Sequence, residues 1–310
     1  EEEMIEKVGL HAYENYTILN SEFKNKDKLM NLGKAHDGVE IWANSDVMDS
    51  DQRIGIGNIV PHPAVGWSGG GKIIYPGVTG EDTVSKFHIQ HGLVKQNMFG
   101  MDNSPVRLNM EKWVDTVGLH FIINTVLTPD KKLVKVVAGH YVGAQREGVK
   151  FSKLVYGKQV KQKVDIAVVS AYPADLDFWQ ATKGMLSGDH IVKDGGTMIL
   201  VSPCYEGIGP QTDYMDHIGN DQAEEQLVRV AGGEPLQGSA LALAAATTLS
   251  RMRKRIRIAL VAPTITREET ETAKMTYYEN VQQAVDQTIK QYDQPQLAVI
   301  THGGESFVYV

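Results

Sequence analysis

The chain has 310 residues, 42% of them apolar and 22% charged, and a formal net charge of -7. That length supports two ordinary domains with a sizeable core, and the acidic balance argues against a nucleic-acid partner, which asks for a basic face. A single cysteine, Cys204, excludes an internal disulfide framework and a cysteine-based zinc cage. It reads as a small core residue at a strand end. The longest apolar run, GSALALAAATTLS, is well short of the ~20 residues of a membrane-spanning helix, so a soluble cytoplasmic protein with no membrane partner is expected.

In chain order, VEIWAN (39–44) and RIGIGNIV (53–60) alternate with a period of two, which predicts strands. The stretch PHPAVGWSGGGKIIYPG (61–77) follows. Thr79-Gly80-Glu81-Asp82 then fits a capping box ahead of a helix through DTVSKFHIQH, with Gly92 placed to end it. Ser104 and Pro105 predict an N-cap and a first helical residue, and that helix carries Val106, Met110, Trp113, Val114 and Val117 on one face as far as Gly118. LHFIINTVL and KLVKVVAG flank TPDK, a hairpin turn. The charged segment KFSKLVYGKQVKQK (150–163) reads as the boundary between a first domain over 1–155 and a second over 156–310. Beyond it VDIAVVSAYP (164–173), TMILVSPC (197–204), IRIALVAP (256–263) and QLAVITHGG (296–304) are near-continuous apolar runs. Helical stretches separate them: DLDFWQATKGML, one near 222–252, and YYENVQQAVDQTIKQY. The expected fold is α/β with two domains, the second a doubly wound, mainly parallel sheet covered on both faces.

Several residues invite chemistry. Gly66 to Lys72, GWSGGGK, matches the start of a phosphate-binding P-loop, but Ile73 stands where the hydroxyl residue belongs and Pro76 blocks the following helix. Lys72 behind Gly69, Gly70 and Gly71 reads either as a reactive amine, with a flat group laid over the bare backbone, or as a surface lysine in a flexible turn. His62, held between prolines at the mouth of this loop, suits a general base near neutral pH. His88 and His91 share one helix face and fit a metal pair or an exposed face. Trp179, Gln180 and Lys183 follow the first strand of the second half, where an aromatic wall, an amide and a cation could grip a carboxylate; an ordinary amphipathic helix is the alternative.

HPAVGWSGGGKIIYPGVTG followed by His88, then SPVRLNMEKWVDTVGLHFIINTVL, AGHYVGAQREGV, SAYPADLDFWQATKG and ILVSPCYEGIG, resembles the nickel-dependent lactate racemase family over nearly the whole chain. The spacing of ten residues from His62 to Lys72 and sixteen from Lys72 to His88 fits that family's pattern. The resemblance implies a racemase or epimerase of a small 2-hydroxy acid. It implies a nickel pincer nucleotide joined covalently to Lys72, seated over Ser68, Gly69, Gly70 and Gly71, with nickel on His88 and with cofactor-maturation enzymes as partners. It further implies His62 as a catalytic histidine and Gln180 and Lys183 as substrate contacts, with Trp179 where the family often has tyrosine. A second catalytic histidine is expected in a segment ahead of Glu1, so this chain alone is expected to be a poor racemase. A phosphate- or nucleotide-binding module that keeps the fold without the chemistry is the alternative.

Overall fold

The structure, a computed structural model, describes residues 1–310. Two short helices, α1 (Glu2–Val8) and α2 (Leu10–Asn15), bury none of their residues. Strands β1 (Leu29–Lys34) and β2 (Glu40–Asn44) form an antiparallel hairpin, followed by α3 (Ser45–Met48). Then come β3 (Ile54–Asn58), the tight pair β4 (Pro61–His62) and β5 (Gly66–Trp67), and a single 3₁₀ turn over Gly70–Ile73. Helices α4 (Glu81–Leu93) and α5 (Pro105–Val117) precede the hairpin β6 (Phe121–Leu127) and β7 (Leu133–Gly139). α5 starts and stops as its sequence predicts. Ser104 accepts from the Arg107 N–H, Pro105 opens the helix, and Gly118 ends it in the left-handed region.

β3 pairs in parallel with β6, giving a three-stranded sheet of order β3-β6-β7. Helix α6 (Tyr141–Tyr156) covers one face, where Ile59, Val126, Val137 and Val149 form a small core. The other face is bare: Ile54, Ile56, Phe121 and Val136 lie on it, all exposed.

The second half is more regular. β8 (Gly157–Gln159) pairs with the last strand, β14 (Phe307–Tyr309). Strands β9 (Val164–Ser170), β10 (Val192–Val201), β11 (Arg257–Val261), β12 (Thr276–Tyr277) and β13 (Leu297–Ile300) make one parallel sheet of order β12-β11-β10-β9-β13. Successive residues alternate between two cores. Ala167, Val169, Met198, Leu200, Ile258 and Leu260 meet α7 (Phe178–Asp189), α8 (Tyr214–Gly219) and α10 (Ala240–Arg255). Ile166, Val168, Ile199, Ala259 and Val261 point the other way, toward the helix Val281–Ile289. The sheet is doubly wound, as expected, and each large side chain sealed in it contributes about 1.5–3 kcal/mol. The chain runs outward from β9 through β12, then returns to the other side of β9, and in such sheets ligands bind beyond the strand ends where that order reverses. α7 starts just past the end of β9.

Two local expectations are corrected. No capping box opens α4. Thr79 is fully buried and bridges Ala43, so its hydroxyl reaches only Pro76 O, and Gly80 becomes the N-cap without a side-chain bond. Residues 150–163, the expected boundary, hold the last turns of α6 and then β8. The stretch near 222–252 is two helices, α9 (Ala223–Ala231) and α10, parted by Gly232-Gly233-Glu234-Pro235, where Gly233 takes a φ of +99°. α4, from the first half, packs against both of them: a side chain at Gly92 would strike Ala244 O and Leu227.

Candidate active site

The loop that carries His62 and Lys72 is held from inside. Trp67, fully buried, donates to Gly100 O (3.0 Å) and meets the edge of the Phe307 ring. Gly66, at φ +76°, leaves no room for a side chain, since a Cβ would fall on Met101 O. Arg107, also fully buried, donates to the carbonyls of Val65, Trp67 and Gly69. Glu111 pairs with Arg107 (3.6 Å) and with Arg146 (2.8 Å), and the neighbouring Gln145 donates to Ser68 O. One buried arginine thus ties together three loop carbonyls, two of which, Val65 O and Gly69 O, also accept from the Trp67 and Lys72 N–H groups.

α4 brings His88 and His91 inward on one face, so the exposed-face reading of that pair is wrong. His88 lies half-buried, and its Nδ1 bonds Val84 O (2.9 Å); with the proton there, Nε2 keeps its lone pair. On α7 the Asp177 carboxylate caps the helix by accepting from Gln180 N, and Lys183 Nζ bonds Gln180 Oε1 at 2.6 Å. The amide and the ammonium therefore act as one corner. Trp179 packs on Tyr214 with ring centroids 4.7 Å apart.

These segments close on a single cavity of about 260 Å³, lined by His62, Lys72, His88, His91, Trp179, Gln180 and Lys183 together with Tyr214, Leu186, Leu249 and Thr248. No carboxylate lines it. Its electrostatics follow. Burial, then the positive charges of Lys183 and Arg107, lower Lys72 to about 8, giving a usable share of free amine near neutral pH. Burial, then Lys72, Lys183 and Arg107, hold His62 well below the ordinary imidazole range, so the ring is neutral. His88 drops to about 4, chiefly through burial. Burial also lowers Lys183, with Asp177 opposing the shift.

Seven of the residues singled out in the sequence thus meet: His62, Lys72, His88, His91, Trp179, Gln180 and Lys183. Ser68, Gly69, Gly70 and Gly71 do not. Ser68 Oγ donates to Asn58 O, and Gly70 N donates to Asn124 Oδ1. A side chain at Gly69 would strike Asn124 and Ile59, at Gly70 Tyr141 O and Gln145, and at Gly71 Val114. On the side where a Cβ would stand the glycines face protein, which lets α5, α6 and β6 approach. Cys204 is a buried core residue, as its sequence suggests, with its thiol pushed up to about 11 by burial. Sequence reasoning missed Arg107, Tyr214 and Thr248. Arg107 left one signal: it falls on the same helical stripe as Met110 and Val114, an odd place for an arginine destined for water. No set of three His, Cys, Asp or Glu side chains could hold a metal, and no helix is long and apolar enough to cross a membrane.

Comparison with known proteins bears on the family and the fold. The chain is 28% identical to the lactate racemase of Thermoanaerobacterium thermosaccharolyticum over 219 residues, 69% of this chain and 51% of that protein. It is 28% identical to the lactate racemase of Lactiplantibacillus plantarum over 229 residues, 73% of this chain and 54% of that one. The chain therefore spans about half the length of these relatives. The structure of the lactate racemase apoprotein from T. thermosaccharolyticum shares the fold over the whole chain and 75% of its own, with a TM-score of 0.87 at 23% identity. A Thermotoga maritima protein of known structure shares it with a TM-score of 0.73 at 21% identity, over 99% of this chain and 81% of its own. Residues 1–99 match the model of the lactate racemase N-terminal domain and residues 158–308 that of the C-terminal domain, so the chain belongs to the lactate racemase family.

Proposed function

We propose that this chain forms the binding body of a racemase or epimerase of a 2-hydroxy acid, lactate or a related acid, working with a nickel pincer nucleotide joined to Lys72. The observation that carries the reading is the single cavity in which a deprotonatable buried lysine, two neutral imidazoles and a Gln–Lys corner converge without a carboxylate. The residues suit such a cofactor. Lys72 offers an amine for the tether. His88, oriented through its Nδ1 bond to Val84 O, keeps a nitrogen for a metal, in the way a backbone carbonyl commonly sets a ligand's tautomer. With no three-ligand cluster in the chain, a metal would arrive with donors of its own, and soft sulfur with imidazole suits nickel. When bound, the group supplies a hydride acceptor and donor for the α-carbon.

The remaining steps belong to the protein. Lys183 and Gln180 hold the substrate carboxylate in a charge-assisted corner, and Trp179 limits what lies beside it. His62 takes the hydroxyl proton, and its neutral ring is what a base at pH 7 requires. Ala64 N–H donates to His62 Nδ1 at 3.2 Å, so the ring must give up that contact, or change tautomer, before it accepts a proton. Return of the hydrogen to the opposite face needs a second base, for which the family resemblance points outside this chain. Alone, the chain is proposed to bind cofactor and acid but to exchange enantiomers poorly.

Expression beside the cofactor-making enzymes tests the assignment. Intact mass and peptide mapping should show an adduct on Lys72 with stoichiometric nickel, absent from Lys72→Ala. A bare Lys72 with retained phosphate would favour the phosphate-binding alternative, which draws on the same cations. Failure of the loaded full-length protein to interconvert any 2-hydroxy acid in a broad panel would remove the racemase reading.

A further inference from the structure

One wall of the cavity has no part in that scheme. It is built by α10, which contributes Ala245, Thr248 and Leu249, and by the inner end of α4, which contributes His91. Its polar groups are unoccupied. Thr248 Oγ1 is buried and makes no hydrogen bond. Its neighbours on the same helix show what an idle threonine does instead: Thr247 turns its hydroxyl back to Leu243 O at 2.8 Å, and on α7 Thr182 turns to Trp179 O at 2.7 Å. A buried hydroxyl without a partner is costly, and one retained in a cavity wall calls for a partner that the chain does not supply. His91 is 7% exposed, and its ring nitrogens make no hydrogen bond within the chain. It lies beside Arg251, one turn along α10 from Thr248, so the two unpaired groups belong to one patch. Around them the wall is apolar, with Leu186, Leu249 and Trp179.

We propose that Thr248, with His91 beside it, is a specificity-determining position that hydrogen-bonds a polar substituent beyond C2 of the bound acid. The substrate class of this site is accordingly a 2-hydroxy acid whose side chain carries a further hydroxyl, in preference to the bare methyl of lactate. The inference rests on the reading of this cavity as a 2-hydroxy-acid site, and it adds the chemistry of the substrate's side chain. Threonine in a helix has two accessible χ1 wells, which exchange hydroxyl and methyl. Thr248 lines the cavity, so a ligand oxygen bound there is the partner its hydroxyl lacks. The absence of carboxylates and the neutral character of both groups favour a hydroxyl over a cationic substituent. Discrimination of this kind is effective because an acid lacking the group leaves the site's own polar atoms unpaired.

Binding measurements separate this inference from the racemase reading, since they need no turnover. Calorimetric titration of the purified chain with lactate against glycerate, and with 2-hydroxybutanoate against 2,4-dihydroxybutanoate, compares acids that differ by one hydroxyl. The expected result is about tenfold tighter binding of the hydroxylated member in at least one pair. Thr248→Val, which keeps shape and removes the hydroxyl, should abolish the difference. Thr248→Ser should retain it. Equal affinities within both pairs, a preference that survives in Thr248→Val, or no binding of any of the four acids would overturn the proposal. The racemase reading stands or falls separately, on the Lys72 adduct and on enantiomer exchange.

Discussion

The two sheets of this molecule solve the same problem in opposite ways. The five-stranded sheet of the second half is parallel and sealed on both faces, and alternate residues of each strand feed two separate cores. The three-stranded sheet of the first half is covered on one face only, and its interior is partly polar: Asn124, Gln145, Ser152 and Arg107 are all buried in or around it. The difference sorts the work of the site. The regular sheet presents α7, with its carboxylate corner, at a strand end fixed by apolar packing. The irregular half holds His62 and Lys72 on a loop whose shape depends on hydrogen bonds to carbonyls. Apolar burial tolerates small shifts, whereas a hydrogen-bond network either closes or leaves a buried group unpaired.

The sharpest way to break the comparison is at Arg107. Arg107→Met removes a side-chain donor from the Val65, Trp67 and Gly69 carbonyls and leaves Glu111 with only Arg146 as an ion-pair partner. Breaking a buried pair from one side costs about 3–5 kcal/mol, and the loss should appear in urea unfolding together with loss of acid binding. Leu200→Ala, in the sealed sheet, should cost about 2–5 kcal/mol through its cavity yet leave acid binding intact in the fraction that stays folded. Equal damage to binding from both substitutions would mean that the two halves do not divide the labour as described.

The same contrast explains what could be read from the chain. The strands of the second half were legible because a doubly covered parallel sheet demands unbroken apolar runs, and 164–173 or 256–263 can hardly be anything else. Helix α6 was not, although it braces the whole first sheet. Its buried face is Tyr141, Gln145, Gly148, Val149, Ser152 and Tyr156, correctly spaced for a helix but with two polar residues and a glycine where apolar ones would announce it. The site divides likewise. Residues with reactive groups, His62, Lys72, His88 and Lys183, stand out by type. The residues that hold them, Arg107 above all, look like surface residues until the fold shows what they face. At the triple glycine the sequence pointed to close approach without saying by what, and on the side where a Cβ would stand it is the protein's own atoms that come close.

Titration offers a subtler probe of the polar half. Lys72 is lowered from 10.5 to about 8 in the folded chain, so below pH 8 it is charged in both folded and unfolded states and the cost of burying that charge is fully present. Above pH 8 the folded chain releases the proton first, and stability attributable to this residue rises until the unfolded chain follows near 10.5. The rise is at most about 3 kcal/mol. Subtracting the stability profile of Lys72→Met from that of the unsubstituted chain should isolate it; a flat difference between pH 7 and 10.5 would place Lys72 in water rather than in the cavity. At the opposite wall, Lys183→Met should weaken binding of a 2-hydroxy acid by about ten- to a hundredfold, as expected when a charged partner of a carboxylate is lost, with little change in unfolding.

The smallest effect tests the bare face directly. Ile56 is 68% exposed on the uncovered side of the first sheet, whereas Val168, at the middle of β9, is 7% exposed between neighbours on both strands. Both are β-branched residues in parallel strands, so backbone preference is matched and only coverage differs. Ile56→Thr should change the unfolding free energy by under about 0.5 kcal/mol, the usual range for a surface substitution. Val168→Thr should cost more, about 1–3 kcal/mol, because it buries a hydroxyl in an apolar layer. If Ile56→Thr proved as damaging as its counterpart, that face would have to be covered in solution, and the asymmetry between the two sheets would belong to the isolated chain alone.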